Sequence, residues 1–490
     1  MLQLEQVRKH IQAAFPLLQV EVLARSSRGD ALADIPLQTV EGTDFFTADI
    51  FQALETGEAD IAVHSLKDMS SAHFFSDRCF GIPHREDTHD VVIFSRAGKE
   101  KVLAGSPLLI GTCSPRRETM ATVFLQKALP YTGQPHDIRT APIRGNVDTR
   151  LRKLKEGAYD AIILAAAGLH RLLNSTETAT TVSALLQETS VVFLPLIDCV
   201  PAPCQGAIVA EAIPANKRAA EIVNAINDPL LWQSCVSEKK QALQHGSGCE
   251  QRFGVTSFNH GDRQVLYAAG TDQTGQVFQE WTGIPSPQWS GLKLFSSTDH
   301  MGGFFAYDSI SLNTKLLTQP LVYVANYKAV FDAALIDILK TKRVWAAGTR
   351  TWLQLARQGI WVEGCADAFG LEWLQDTWQS PLVRVRKEDV SVLTHREAAV
   401  NWSQKGWHAL ASYALQKQPQ PALEQAIGAA DVFFWTSAEQ YRFYKEKIKP
   451  GAQHACPAGE TVAQLKQEGL TPVVFPHIKA FQQWRKTYIP

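Results

Sequence analysis

Apolar and polar positions alternate in blocks along most of this chain. Short apolar runs, such as Leu108–Ile110 and the one that opens Ala161–Leu169, are followed by segments with helical spacing. Runs of this length read as buried strands, and their alternation with helices predicts α/β lobes with largely parallel sheets. Two faint repeats support this reading. Leu54-Glu-Thr-Gly57-Glu-Ala-Asp60-Ile is echoed by Leu154-Lys-Glu-Gly157-Ala-Tyr-Asp160-Ala, each reading as a helix end, a glycine turn and a strand. Val322-Tyr-Val is echoed by Val432-Phe-Phe, and Gly348/Thr351/Leu355/Gly359 by Ala458/Thr461/Leu465/Gly469 at the same offset. Arg263–Gly283 differs, with alternation on both sides of a glycine turn, and predicts an antiparallel hairpin. Pro285-Ser-Pro287 marks a linker. The main boundary is placed near residue 288, with a two-lobed α/β unit on either side and a small sheet domain added to the first.

Composition narrows the function classes. The 490 residues carry 48 Lys and Arg against 49 Asp and Glu, a formal net charge of −1. A balanced chain has no broad basic face for duplex nucleic acid. The eight cysteines form no C-x-x-C pair, so neither a zinc ribbon nor a thioredoxin-like redox pair is expected, and no metal site is assigned. The start carries Glu5, Arg8 and Lys9 where a secretion signal needs an apolar core, and no run is long enough to span a membrane. A cytoplasmic, monomeric protein acting on small molecules is expected.

Four segments in the first unit carry chemistry. His64-Ser65-Leu-Lys67-Asp68 follows a strand, where open α/β sheets bind ligands; Ser65 or Asp68 could equally cap a helix. Gly111-Thr112-Cys-Ser114-Pro-Arg116-Arg117 puts two arginines at a helix start, which the helix dipole disfavours and a bound anion would explain; solvated arginines are the alternative. Arg144-Gly145-Asn146-Val-Asp-Thr-Arg150 and Arg171 bring the arginines near strand ends to five. Such bidentate donors suit a ligand with several carboxylates, although any one could be a solvated helix residue. Gly246-Ser-Gly248-Cys249 sets a cysteine in an open loop that suits covalent chemistry; a buried apolar role is the usual alternative.

With Pro201-Ala-Pro-Cys-Gln205-Gly-Ala-Ile-Val-Ala-Glu211, these segments resemble hydroxymethylbilane synthase, also called porphobilinogen deaminase, over roughly residues 2–285. That family joins four porphobilinogen molecules, releasing ammonia, on a dipyrromethane held by a cysteine thioether. The resemblance implies that Cys249 holds the dipyrromethane. Asp68 would be the catalytic carboxylate, with Lys67 beside it. Arg116, Arg117, Arg144 and Arg150 would hold acetate and propionate groups, with Ser65, Thr112 and Ser114 lining the same cleft. His64, Gly145, Asn146 and Arg171 would meet the substrate. Porphobilinogen and the linear bilane are the implied small-molecule partners.

The sequence departs from the family in places. The family's first strand, with an Arg and a Ser, would end just before Met1, and losing it would leave sheet edges unpaired. A loop lysine is replaced by Thr43, Cys204 stands where the family has glycine, and Glu250-Gln251-Arg252 replaces Gln-x-Pro. A degenerate, non-catalytic tetrapyrrole or polycarboxylate binder is the competing expectation; retention of Asp68 and Cys249 opposes it.

Residues 290–490 resemble uroporphyrinogen-III synthase, the next enzyme of haem biosynthesis, on the strength of Phe433-Phe-Trp-Thr436-Ser437 and the duplicated Ala458/Thr461/Leu465/Gly469 pattern. The resemblance implies ring closure with inversion of the last pyrrole. Tyr413 would assist, and Thr436 and Ser437 would donate to propionates or cap the following helix. The fold expected from both resemblances is a two-lobed unit like the periplasmic binding proteins, plus a small α+β cofactor domain, then a second two-lobed α/β unit. The divisions are 1–88 with 201–226, 89–200 and 227–287, then 290–314 with 420–490, and 315–419. Fusing two consecutive enzymes raises the effective concentration of the bilane at the second site.

Overall fold

The computed structural model describes residues 1–23, 48–246, 251–260, 263–300, 302–418 and 420–488. Five sheets carry the strands among them. The first has Ala207–Ala212 at its centre, flanked by Ala62–Ser65 and Cys79–Arg85, both antiparallel to it. All six residues of the central strand are buried. Ile208, Ala210 and Ala212 pack with helices Leu2–Ala14 and Lys217–Ala225 through Val7, Ile11, Ile222 and Val223. Ala207 and Val209 face Leu66, Phe74 and Cys235 on the other side. The parallel pairing read from the sequence fails here, because a strand covered on both faces is apolar throughout whichever way its neighbours run.

The second sheet runs Ile138–Ala141, Leu108–Gly111, Ala161–Ala165, Asp90–Phe94, Ser190–Phe193. The first three strands are parallel, and Asp90–Phe94 is antiparallel to both its neighbours. The chain crosses between these two sheets at residues 86–89 and again at 194–206. The third sheet contains the antiparallel hairpin that the alternation predicts, Arg263–Thr271 with Val277–Thr282, extended by Arg252–His260. It lies against the second crossing at Gly254, where a Cβ would come within 2.2 Å of the Val200 carbonyl oxygen.

Beyond residue 290, Leu294–Ser296, Val432–Phe434, Gln453–Pro457 and Val473–Phe475 form a parallel sheet. The last sheet runs Phe305–Ser309, His408–Lys417, Val390–His395, Leu321–Val324, Arg343–Ala346, Val362–Cys365, and only its first pair is antiparallel. The duplicated segments occupy matching places, each a strand followed by a helix: Arg343–Ala346 with Thr349–Arg357, and Gln453–Pro457 with Glu460–Gln467. No helix among the described residues is long and apolar enough to cross a membrane.

The proline-marked linker does not separate the two units. Phe94 meets Trp361, Phe124 meets Trp352, and Phe193 meets Trp345, at ring centroid distances of 5.2, 5.0 and 5.5 Å. The Trp352 indole N–H donates to the Ala128 carbonyl at 2.8 Å, and Tyr131 N–H donates to the Ala356 carbonyl at 2.8 Å. Buried side chains of both units form common apolar clusters. An interface built like a domain core unfolds with the domains it joins. The full chain is therefore expected to unfold in one cooperative calorimetric transition. Trp352→Ala is expected to lower its stability by about 3–5 kcal/mol through the cavity and the lost donor. Two separated transitions in the unmodified chain would contradict a shared core.

Candidate active site

The strand Ala62–Ser65 ends in a single 3₁₀ turn, Leu66–Asp68. Leu66 and Met69 are buried and fix this turn to the core, leaving Lys67 half-buried and Asp68 exposed. Ser65 makes no capping bond. Burial pushes the Lys67 ammonium below the ordinary lysine range; Asp68 opposes this, while Arg117 and Arg116 add to it.

Helix Pro115–Ala128 starts with Ser114 as its cap, accepting from Arg117 N–H at 3.4 Å, and Thr112 Oγ1 accepts from Ser114 N–H at 3.2 Å. Arg116 and Arg117, only 4% and 9% exposed, are not solvated. Their anion is internal. Asp90, at the start of the antiparallel strand, takes Arg116 Nη2 at 2.7 Å and Arg117 Nη2 and Nε at 2.7 and 3.0 Å. Gln205 Nε2 donates to the same carboxylate at 2.9 Å, and Arg116 Nη1 donates to the Val200 carbonyl at 2.6 Å. Burial alone would raise the Asp90 pKa, but the two guanidiniums hold it well below the usual carboxylate range. One carboxylate between two guanidiniums leaves a surplus positive charge.

Helix Val147–Lys155 is capped by Asn146, and Gly145 before it has φ +104°, where a Cβ would meet Thr149 at 2.7 Å. Arg144 lies half-buried ahead of this turn. Arg150 Nε donates to the Gly145 carbonyl at 2.7 Å. Arg171, on helix Ala166–Asn174, donates to the Gly206 carbonyl at 2.6 Å and to Gln6 at 3.1 Å. Burial lowers the pKa of both Arg150 and Arg171, and both feel the charge of Asp68. The structure thus gathers Lys67, Arg116, Arg117, Arg150 and Arg171 around three carboxylates, Asp68, Asp90 and, beside Arg171, Glu86. That excess of cations fits a ligand with several carboxylates. His64 does not join the group: its Nε2 is buried against Glu211 at 3.0 Å, and Glu211 also binds His73 at 2.9 Å.

Cys249 and Thr43 lie outside the described residues, as does Glu250. The helix before Cys249, Pro229–His245, is tied to the Asp68 turn, because buried Lys239 Nζ donates to the Met69 carbonyl at 2.5 Å. On the same helix, fully buried Glu238 accepts from Arg85 twice at 2.9 Å, from Cys204 N–H at 2.6 Å and from the Ser257 hydroxyl at 2.6 Å. Burial pulls the Arg85 pKa down and Glu238 more than reverses it. Cys204 has φ +59°, the left-handed region that glycine occupies without strain. Sequence reasoning missed Asp90, Gln205, Glu238 and Lys239. The run His84-Arg-Glu-Asp-Thr-His-Asp90 ahead of an apolar strand was the available signal for Asp90.

The second unit holds a cavity of about 570 Å³ lined from both of its sheets, and Tyr413, Thr436 and Ser437 all border it. Tyr413 is buried on the long strand His408–Lys417, and burial raises its phenol pKa. Thr436 pairs with the Ser297 hydroxyl at 3.0 Å, and its N–H donates to Ser297 Oγ at 2.9 Å. Ser437 caps helix Ala438–Tyr444 while facing the cavity. Lys328 Nζ lies 4.6 Å from the Tyr307 ring on the same wall.

Residues 1–221 match the family model described as porphobilinogen deaminase, dipyromethane cofactor binding domain. A porphobilinogen deaminase of Acidothermus cellulolyticus is 33% identical over 273 residues, covering 54% of this chain and 76% of that one. One from Lachnospira eligens is 32% identical over 291 residues, covering 58% and 91%. Among solved structures, uroporphyrinogen-III synthetase from Helicobacter pylori aligns at 10% identity over 38% of this chain and 90% of that one, with a TM-score of 0.27. The BvgS VFT2 domain of Bordetella pertussis aligns at 10% identity over 49% and 82%, with a TM-score of 0.26. With a family model over its first lobes and relatives above 30% identity matched over most of their length, this chain belongs to the porphobilinogen deaminase family.

Proposed function

We propose that the first unit polymerises four porphobilinogen molecules into the linear bilane and that the second closes it to uroporphyrinogen III, the whole acting as a cytoplasmic monomer. The observation that carries the first half is the surplus of buried and half-buried cations near Asp68. A dipyrromethane on Cys249 supplies the pyrrole carbon at which the chain is extended. Lys67, Arg117, Arg150 and Arg171 bind the acetates and propionates of the incoming pyrrole, fixing its aminomethyl carbon near Asp68. Arg116 and Arg144 complete the set, with Ser65, Thr112 and Ser114 as hydroxyl donors and Gly145 and Asn146 shaping the arginine-bearing turn. Loss of ammonia leaves a cationic azafulvene, and the Asp68 carboxylate stabilises that charge as it develops. The aspartate is exposed while its neighbours Leu66 and Met69 are buried, so it meets the substrate without moving the core.

For the second half, Tyr413, Thr436 and Ser437 share one cavity with aromatic walls and Lys328. The aromatic faces fold the bilane, and the hydroxyls donate to its carboxylates. Pressing the two units into one core keeps the second site at a constant distance from the first, which favours capture over spontaneous closure to the type I isomer.

Three outcomes test this. Asp68→Ala is expected to keep the Cys249 adduct, seen by intact mass, while kcat for porphobilinogen consumption falls about 10²–10⁴-fold; Cys249→Ser is expected to lose the adduct. A wild-type chain whose Cys249 thiol stays free after incubation with porphobilinogen contradicts the first-unit reading.

Lys67 titrates below the ordinary lysine range. Its charge is therefore lost at lower pH than that of an ordinary lysine, so carboxylate binding weakens earlier as pH rises. Lys67→Arg, which stays charged, is expected to move the alkaline limb of kcat/KM to higher pH; a limb that stays in place contradicts a binding role for Lys67.

The full chain is expected to yield mainly the type III isomer from hydroxymethylbilane, and Tyr413→Phe to shift the product toward type I. Type I product alone from the unmodified chain contradicts the second-unit reading.

A further inference from the structure

Besides the shared apolar core and the Lys479–Asp198 ion pair at 3.2 Å, the second unit sets one buried carboxylate against the first. Asp367 follows the strand Val362–Cys365, and its oxygens accept from the N–H groups of Leu196 at 3.0 Å and Ile197 at 3.3 Å. It is 3% exposed. Asp367 and Ala368 have φ of +48° and +64°, two consecutive non-glycine residues in the left-handed region. The loop is held there by Ala366 N–H on the Ala346 carbonyl at 3.0 Å and Ala368 N–H on the Ala347 carbonyl at 2.9 Å. A strained and doubly pinned loop therefore aims this carboxylate at the second crossing between the lobes of the first unit.

That crossing leads straight to the cationic cluster. Leu194 N–H donates to the Asp90 carbonyl at 2.9 Å. Three residues past Ile197, the Val200 carbonyl takes Arg116 Nη1, and five further on Gln205 holds the Asp90 carboxylate. Asp90 in turn fixes Arg116 and Arg117. The path from Asp367 to the guanidiniums runs through short backbone segments and hydrogen bonds, all of them buried or nearly so. Sequence-adjacent Ala368 also lines the second unit's cavity, so the same loop borders both sites.

We infer that Asp367 is a positioning residue for the porphobilinogen-polymerising reaction: by fixing the amides of Leu196 and Ile197, the second unit sets where Val200 and Gln205 hold the carboxylate-binding arginines. The inference rests on the reading that Arg116 and Arg117 face the substrate's carboxylates. It makes the second unit part of the first unit's active site, beyond any ring closure of its own.

The test compares full-length chains for KM and kcat with porphobilinogen, and for the distribution of partly extended chains by intact mass. In Asp367→Asn one of the two amides loses its acceptor. KM is expected to rise roughly tenfold, the scale of a hydrogen bond to a charged group, with enzyme accumulating at an early extension step. Gln483→Ala serves as the comparison. It breaks a second-unit contact to the hairpin, where Gln483 bonds both the N–H and the carbonyl of Trp281 at 2.7 and 2.8 Å, and Gln483 makes no hydrogen bond to the amides of the crossing. Its KM is expected to stay unchanged. An unchanged KM and extension pattern in Asp367→Asn, or an equal KM rise in Gln483→Ala, would overturn the inference. Should Asp367→Asn fail to fold, Asp367→Glu keeps the charge but moves the carboxylate by one methylene from the two amides. A KM raised by a smaller factor supports the role, and an unchanged KM overturns it. Arg117→Lys separates the two layers of argument. An unchanged KM there overturns the carboxylate reading and this inference together, whereas a raised KM beside an unaffected Asp367→Asn overturns the inference alone.

Discussion

A single carboxylate with too many partners organises the first unit. Asp90 is almost completely buried and takes two guanidiniums and a carboxamide. Removing one of its partners would leave a buried charge uncompensated, which is why such clusters hold together once formed. The cluster also joins pieces that are distant in sequence: the start of one strand, the first turn of a helix and the return crossing between lobes. Because two positive charges share one negative, the cluster is anchored and still cationic. That combination is what a polycarboxylate site needs, since fully solvated arginines are disordered and fully neutralised ones have no charge to offer.

Glu238 plays the equivalent part for helix Pro229–His245 and the hairpin sheet. Its oxygens bind Arg85 before the first crossing, Cys204 in the second and Ser257 in the hairpin sheet. With Lys239 reaching the Met69 carbonyl from the next position, the helix that leads to Cys249 is registered against the turn that carries Asp68. On the proposed function, Glu238 and Lys239 together fix the helix that precedes Cys249 against the turn that bears Asp68. Cys204, left-handed where glycine would relax, shows that this registration is kept at a local conformational cost.

Much of the architecture was legible from pattern. The glycine turns at Gly57 and Gly157 end a helix and lead into a strand in both copies of the first repeat, and both glycines have positive φ. The hairpin at 263–283 followed from alternation and a turn residue. The direction of the first sheet's strands was not legible, because burial on both faces erases the polar alternation that distinguishes half-exposed antiparallel strands. Asp90 was hidden for a different reason: a lone aspartate before an apolar run looks like a loop end, and only the fold brings Arg116 and Arg117 to it. The shared core was hidden too. Trp345, Trp352 and Trp361 read as the interior of their own unit, and no local feature says that Phe94, Phe124 and Phe193 lie against them. The recognisable motifs near Asp68 and the arginines were found because their chemistry is local. The residues that position them were missed because their partners lie tens to hundreds of positions away.

On the proposed function, anchored, surplus arginine charge beside Asp68 holds a polycarboxylate pyrrole chain tethered to Cys249. A crystal structure of the full chain purified after incubation with porphobilinogen tests it most directly. Density continuous with Cys249 Sγ is expected, its carboxylates on Arg117, Arg150 and Arg171, and Arg116 and Arg117 still bound to Asp90. A free Cys249 thiol, or a tethered group whose carboxylates face solvent away from these arginines, would contradict it.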